Sequence, residues 1–184
     1  MSDIRQPFNP DKFNFTKISV DKELIFQLKN GQDPVQDHHV RISRDLLSIN
    51  VSPFEVGSSL ILAQLEECLP QLPTLHSVEL TLQTLLLSKS PDIKAVFNSL
   101  LAYASVNHCH WHLYYLQEQR LFLETSGFSS RIDADTVEME REIYPAPGVA
   151  FQVASEDDIS RVTEKVFKVI HCLSRYLCTI VRLA

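Results

Sequence analysis

Short runs of apolar residues, several of them alternating with polar ones, extend along most of this chain, a pattern typical of β-strands. Residues 13–18 (FNFTKI) alternate and are rich in aromatic and β-branched types, which predicts a strand. The other strands predicted in this way are 24–28, 46–51, 59–63, 93–97, 108–116 and 121–124. Polar loops are expected at 29–39 and from 125 to 142, and 149–154 is a further apolar run.

Two segments carry the spacing of a helix. The first has one apolar stripe and closes at Ser90 and Pro91; its stripe is Leu75, Val78, Leu82, Leu85 and Leu86. The second begins at Ser155, where a hydroxyl N-cap precedes three acidic residues in the first turn. Its stripe is Ile159, Val162, Val166, Val169, Leu173 and Leu177. The segment 178–183 fits either a last strand or the fraying end of this helix.

About seven strands in runs and two helices predict an α+β fold with a mainly antiparallel sheet. A length of 184 residues fits one domain. We expect residues 1–12 to be an N-terminal tether and residues 13–184 to form a single domain.

Composition narrows the function classes. With only four glycines, neither a dinucleotide-binding fingerprint nor a P-loop can be written in this sequence. A net charge of −6 argues against a nucleic-acid partner. The polar N-terminus is not a signal peptide, and no apolar run reaches 18 residues, so we expect no membrane partner. Four cysteines without C-x-x-C spacing suggest free thiols and a cytoplasmic protein.

The candidate chemistry lies in the predicted strand 108–116. His108, His110 and His112 occupy alternate positions, so a strand would project all three imidazoles from one face. Cys109, Trp111 and Leu113 would then point to the opposite face as core residues.

Three interpretations of the aligned histidines are open from the triplet alone. Imidazole is a common ligand of zinc and copper, although the three rings would spread across roughly 13 Å of strand. Imidazole is also a nucleophile that forms covalent phosphoryl intermediates. The third interpretation is a surface histidine cluster without chemistry.

The residues around the triplet add a resemblance. Five stretches occur in the order typical of one family: 13–17 (FNFTK), 50–55 (NVSPFE), 69–71 (LPQ), 97–100 (FNSL) and 104–116 (ASVNHCHWHLYYL). With them the chain resembles the histidine-triad superfamily of nucleotide hydrolases and transferases. Within it the chain is similar to the GDP-D-glucose phosphorylases and the plant GDP-L-galactose phosphorylases, and the stretches span most of its length.

That resemblance implies a histidine-triad-like fold and a nucleotidyltransferase reaction. His110 would attack the α-phosphorus of a GDP-hexose, forming a guanylyl-histidine that inorganic phosphate resolves to GDP and a sugar 1-phosphate. His112 would lie near the leaving oxygen, and His108 would orient the strand and the His110 ring. Neutral donors near the nucleotide would be Ser105, Asn98 and Asn107. No metal or other cofactor is implied, and a homodimer is compatible with the family.

The match has departures. Ser59 stands where the family has a histidine, and Leu101 stands where it has a glycine. Glu55 and Glu124 fall at family-like positions without an assigned role. We expect this chain to correspond to the central part of a longer enzyme. The alternatives are a diverged, weakly active or inactive protein that binds GDP or GDP-sugars, and a histidine-ligated metal protein.

Overall fold

The computed structural model describes residues 3–28, 44–117, 120–125, 130–139, 142, 145, 148–173 and 178–181. They form an α+β fold with two antiparallel sheets and two main helices, which confirms the predicted fold class. The predicted loop 29–39 lies outside the described residues.

The larger sheet has six strands. In chain order they are β1 (Leu24–Leu28), β2 (Asp45–Ile49), β3 (Ser59–Leu62), β4 (Ile93–Asn98), β5 (Trp111–Tyr115) and β9 (Cys178–Val181). Their spatial order is β1-β2-β3-β5-β4-β9, and every neighbouring pair is antiparallel. The strand β5 therefore lies in the middle of the sheet, between β3 and β4. The segment 178–183, for which two structures were open, contributes the edge strand β9.

The smaller sheet has three antiparallel strands, β6 (Ser130–Arg131), β7 (Thr136–Met139) and β8 (Gly148–Phe151). The α-helices among the described residues are α1 (Val20–Glu23), α2 (Leu75–Ser88), α3 (Phe122–Thr125) and α4 (Ile159–Leu173). The helices α2 and α4 are the two predicted from the apolar stripes. Thr74 caps α2, and a 3-10 turn at Glu156–Asp158 begins at the predicted cap Ser155.

The main core lies between one face of the larger sheet and the helices α2 and α4. Trp111 and Phe97 are fully buried there, with ring centroids 5.0 Å apart. Leu113 belongs to the same cluster. Cys109 is also buried, and burial raises the pKa of its thiol to about 12. The prediction that Cys109, Trp111 and Leu113 are core residues is confirmed.

A smaller core lies on the opposite face, where Phe15 packs with the strand residues Leu46, Leu60 and Leu62. Ile4, within the predicted tether, is 5% exposed. The side chain of Asn107 donates to the carbonyls of Gln6 and Pro7, at 3.1 and 2.9 Å. The N-terminal residues are therefore packed beside the histidine segment.

Three local predictions were wrong. Residues 13–18 form a 3-10 turn at Phe15–Lys17, because the Asn14 side chain accepts from the Thr16 N–H and caps it. Residues 121–124 begin a short helix, α3, where the Glu124 carboxylate accepts from the Leu121 N–H. The polar stretch 125–142 contains β6 and β7.

Candidate functional site

A cavity of about 260 Å³ opens on the face of the larger sheet that carries the second core. His110, His112 and Ser105 line it together. The other lining residues are Phe13, Phe15, Ile18, Glu23, Ser48, Ile49, Asn50, Val51, Ser52, Leu60 and Val106. Part of the apolar wall comes from the smaller core, and the polar groups come from Glu23 on α1, from the end of β2 and the loop after it, and from the segment 105–112.

His110 is buried, and its tautomer follows from its contacts. The ring Nδ1 lies 2.8 Å from the carbonyl oxygen of His108. A carbonyl can only accept, so Nδ1 carries the proton and Nε2 holds the free lone pair. Burial lowers the pKa of His110 to about 3, with only a partial offset from that carbonyl. The side chain is therefore neutral near pH 7, as a nucleophile must be.

His108 serves the packing of the N-terminal segment. Its Nδ1 accepts from the Phe15 N–H at 3.1 Å, and its ring contacts the rings of Phe8 and Phe15. Burial lowers the pKa of His108, and the nearby Leu65 carbonyl offsets part of this lowering. The His108 Nε2 forms no hydrogen bond of good geometry with the described residues. Its backbone carbonyl holds the His110 ring, so His108 orients its neighbour from outside the lining of the cavity.

His112 lies beside His110, with ring centroids 5.1 Å apart in an edge-on arrangement. Its other face stacks on the ring of Tyr114 at 5.8 Å. Burial lowers the pKa of His112. Its Nδ1 is buried and has no hydrogen-bond partner among the described residues. A buried ring nitrogen without a partner costs less free energy as an unprotonated acceptor than as an N–H donor. The His112 tautomer with its proton on Nε2 is therefore favoured.

Gln71 is a site residue that the sequence interpretation missed. This fully buried side chain accepts from the His110 N–H at 2.9 Å and donates to the His110 carbonyl at 3.1 Å. It also donates to the carbonyl of Asn98 at 3.0 Å. Its own N–H donates to the Asn107 side chain at 2.9 Å. The side-chain amide of Gln71 thus holds the backbone of His110 and connects it to Asn98 at the end of β4.

This clamp also explains where β5 begins. The prediction placed the start of the strand at His108, but the ladder begins at Trp111. The backbone N–H and carbonyl of His110 are satisfied by the Gln71 side chain and not by a neighbouring strand. His108, at a bend, and His110 therefore lie in the segment that leads into β5, and the expected alternation of faces still holds from His110 to Leu113.

The three neutral donors predicted near the nucleotide do not lie together. Ser105 lines the cavity and is exposed. Asn107 is occupied by Gln71 and by the N-terminal carbonyls. Asn98 donates to the Ala102 carbonyl at 3.1 Å, while its Oδ1 is buried without a partner among the described residues. Asn98 and Asn107 are both outside the lining of the cavity.

The structure shows where the residues that depart from the family pattern lie, together with the two glutamates that had no assigned role. Ser59 pairs with Leu113 in the sheet and is buried. Leu101 is half exposed and is not among the described residues with a left-handed backbone, whereas its neighbour Tyr103 has φ of 68°. A side chain at position 101 therefore causes no backbone strain. Glu124 forms a buried ion pair with Lys94, and the side chain of Glu55 is exposed.

The described part of the chain contains neither a candidate metal cluster nor a candidate membrane span. No group of three or more histidine, cysteine, aspartate or glutamate side chains is placed to hold a metal ion within it. None of the helices in the same residues is long and apolar enough to cross a membrane.

Comparison with known proteins gives the relatives of this chain. It is 42% identical over 123 residues to GDP-D-glucose phosphorylase 1 of Danio rerio, an alignment that covers 67% of this chain and 33% of the relative. It is 30% identical over 171 residues to GDP-D-glucose phosphorylase 1 of Caenorhabditis elegans, covering 93% and 35%. It is 32% identical over 157 residues to GDP-L-galactose phosphorylase 2 of Arabidopsis thaliana, covering 79% and 36%. No solved structure matches the chain.

The chain thus spans about a third of the length of the curated relatives it matches. The family model described as "GDPGP1-like, N-terminal domain" matches residues 1–114, which include the N-terminal turn, Gln71 and all three histidines of the site. This chain therefore belongs to the GDPGP1-like family, through its N-terminal domain.

Proposed function

We propose that this chain carries the nucleotidyl-transfer site of a GDP-hexose phosphorylase, with His110 as the nucleophile. The observation that supports this most is the tautomer of His110. Its Nδ1–H is held by the His108 carbonyl, and its depressed pKa keeps Nε2 unprotonated at the cavity that His110 lines. The names of the relatives supply the substrate class, a GDP-sugar that is cleaved by phosphate.

The reaction has two displacements at one phosphorus atom. The Nε2 lone pair of His110 attacks the α-phosphorus of GDP-D-glucose, and the bond from that phosphorus to the bridging oxygen breaks. Glucose 1-phosphate leaves, and the GMP group stays on His110. An oxygen of inorganic phosphate then attacks the same phosphorus, the bond to Nε2 breaks, and GDP is released. No oxidant, reductant or metal enters this balance.

His112 and Ser105 are the groups that we place around this phosphorus. His112 lies 5.1 Å from His110 between ring centroids, and an Nε2–H would donate to a phosphate or leaving-group oxygen. Ser105 is a hydroxyl donor on the same wall. We infer that Asn98 and Asn107 act indirectly, through Gln71, which binds the backbone of one and the side chain of the other.

The test is covalent labelling with GDP-D-glucose that carries the label at its α-phosphorus. The wild-type chain should form an acid-labile adduct, since a bond between phosphorus and imidazole hydrolyses in acid, and inorganic phosphate should release the label as GDP. His110→Asn should reduce labelling by on the order of 10⁴-fold or more, as removal of a covalent nucleophile does elsewhere.

His76→Asn is the matched control, because His76 lies on α2 and pairs with Asp45 outside the lining of the cavity. It should label like the wild type. Labelling that persists in His110→Asn would remove His110 from the role of nucleophile. Binding of GDP without any adduct in the wild type would instead support the alternative, a diverged protein that binds GDP-sugars without turnover.

A further inference from the structure

A single carboxylate lies in the wall of the cavity. It belongs to Glu23, at the end of α1, and among the described lining residues there is no second acid and no lysine or arginine. We propose that Glu23 recognises the guanine base of the nucleotide and sets the preference for guanine over other bases. This inference rests on the proposed function for the identity of the ligand, and on the geometry of the cavity for the residue.

Leu24, the residue that follows Glu23, lies at the opposite end of one row of paired residues from His112. Leu24 pairs with Ser48, Ser48 with Leu60, and Leu60 with His112, so these four residues form one row across the sheet. Three strand spacings of about 4.8 Å separate the ends of the row by about 14 Å at the backbone. Side chains that reach inward from both ends shorten this distance to the scale of an extended nucleoside 5′-phosphate.

Charge indicates which end of the cavity takes the phosphates and which takes the base. A phosphate beside the Glu23 carboxylate would be repelled, and no described cation in the lining offsets that repulsion. The phosphates therefore belong at the histidine end, and the base belongs at the carboxylate end. Phe13, Phe15 and Ile18 line the cavity and give the base an apolar surface.

A carboxylate at the base distinguishes guanine from adenine. Guanine presents two donors on one edge, the N1–H and the 2-amino group, and an ionised carboxylate accepts from both. Adenine presents an unprotonated N1 at the corresponding position, so its lone pair would face the carboxylate. The same group therefore attracts one purine and repels the other, which is how a site obtains specificity.

The carboxylate is also held in place before any ligand arrives. Glu23 Oε1 accepts from the Ser19 N–H at 2.9 Å, and the Glu23 carbonyl accepts from the Ser48 hydroxyl at 3.0 Å. A carboxylate has about four acceptor positions, so the contact with Ser19 leaves capacity for the base. The half-buried side chain thus has a fixed direction and reduced freedom to lose on binding.

Calorimetric binding of GDP, IDP and ADP tests the inference. IDP keeps the N1–H and lacks only the 2-amino group. The wild type should bind GDP more tightly than IDP and IDP more tightly than ADP. Glu23→Gln keeps the shape and an acceptor for Ser19 but loses the charge, so the ratio of the ADP to the GDP dissociation constant should fall at least about tenfold. Asp21→Asn, on the exposed side of the same helix, should leave the ratio unchanged.

The inference is overturned if wild type shows no preference for GDP over ADP, or if Glu23→Gln retains the wild-type ratio. The wild-type comparison stands without any variant, so a poorly folded Glu23→Gln would not remove the test. A GDP preference that depends on Glu23, in a protein that forms no adduct at His110, would support this inference while contradicting the proposed reaction.

Discussion

The two faces of the larger sheet differ in what covers them. On one face, Trp111 and Phe97 are covered by α2 and α4, and the apolar side chains fill the space. On the other face, His110 and His112 stand beside Phe15, and a cavity remains. The strand β5 supplies both faces through alternate residues. One face contributes stability through close packing, and the other carries polar groups that Gln71 and the N-terminal segment hold in place.

Removal of the largest side chain from the closed face should have the largest effect on stability. Trp111→Ala should lower the free energy of unfolding by about 3–5 kcal/mol, because it leaves a cavity at a fully buried position. Urea denaturation measures this loss. Trp111→Phe keeps an aromatic contact with Phe97 and should lose less. Equal losses in the two variants would contradict the close aromatic packing of Trp111 against Phe97 on this face.

The polar clamp on the open face gives the next largest effect. Gln71→Leu leaves the His110 N–H and the carbonyls of His110 and Asn98 without their partner, which should cost about 2–4 kcal/mol of unfolding free energy. It should also slow labelling at His110 in conditions where the variant is folded, because the proposed nucleophile loses its support. Gln117→Leu, at an exposed position, is the matched control and should change stability by less than about 0.5 kcal/mol. Normal labelling in folded Gln71→Leu would contradict a positioning role.

The smallest expected change is in the pH dependence of labelling. Because the pKa of His110 is about 3, its ring stays neutral as the pH falls from 7 to 5. The labelling rate should therefore vary by less than about twofold over that range, whereas a histidine with an ordinary pKa of about 6.5 would lose most of its neutral form. A steep loss of labelling with an apparent pKa near 6.5 in this range would contradict the lowering of the pKa of His110 by burial.

The same shift affects stability, with a definite sign. The folded-state pKa of His110 lies below its ordinary value of 6.5, so the unfolded chain binds the extra proton between about pH 6.5 and 3. The free energy of unfolding should fall as the pH falls through that window. His110→Asn should show a shallower slope in the same titration of stability.

Alternation along residues 110–113, which lead into β5 and begin it, was the most reliable sequence signal. It placed His110 and His112 on one face and Trp111 and Leu113 on the other, as the structure shows. Local patterns failed where a distant contact decides the conformation. The predicted strand at 13–18 is a turn in which the Phe15 N–H donates to the ring of His108. That partner lies far outside these six residues, so their pattern could not indicate it.

The candidate site was predictable to the extent that one strand carries it. The walls of the cavity come from α1, β2 and the loop after β4, and their proximity depends on strand order, which a single sequence does not contain. Gln71 lies in the family-like stretch 69–71, but nothing in that stretch indicates that its side chain binds the backbone of His110. Glu23 was not predicted as a site residue, because nothing in the sequence distinguishes it from the other charged residues around it.

The contact between the Phe15 N–H and the His108 ring joins residues 93 positions apart, and Asn107 reaches Pro7 across 100 positions. Contacts so distant in sequence slow folding, because a long loop must close before they form. During synthesis, at about 5–20 residues per second, the N-terminal wall of the cavity would wait several seconds for the histidines to be made. The cavity can therefore be complete only after the histidine segment has been synthesised.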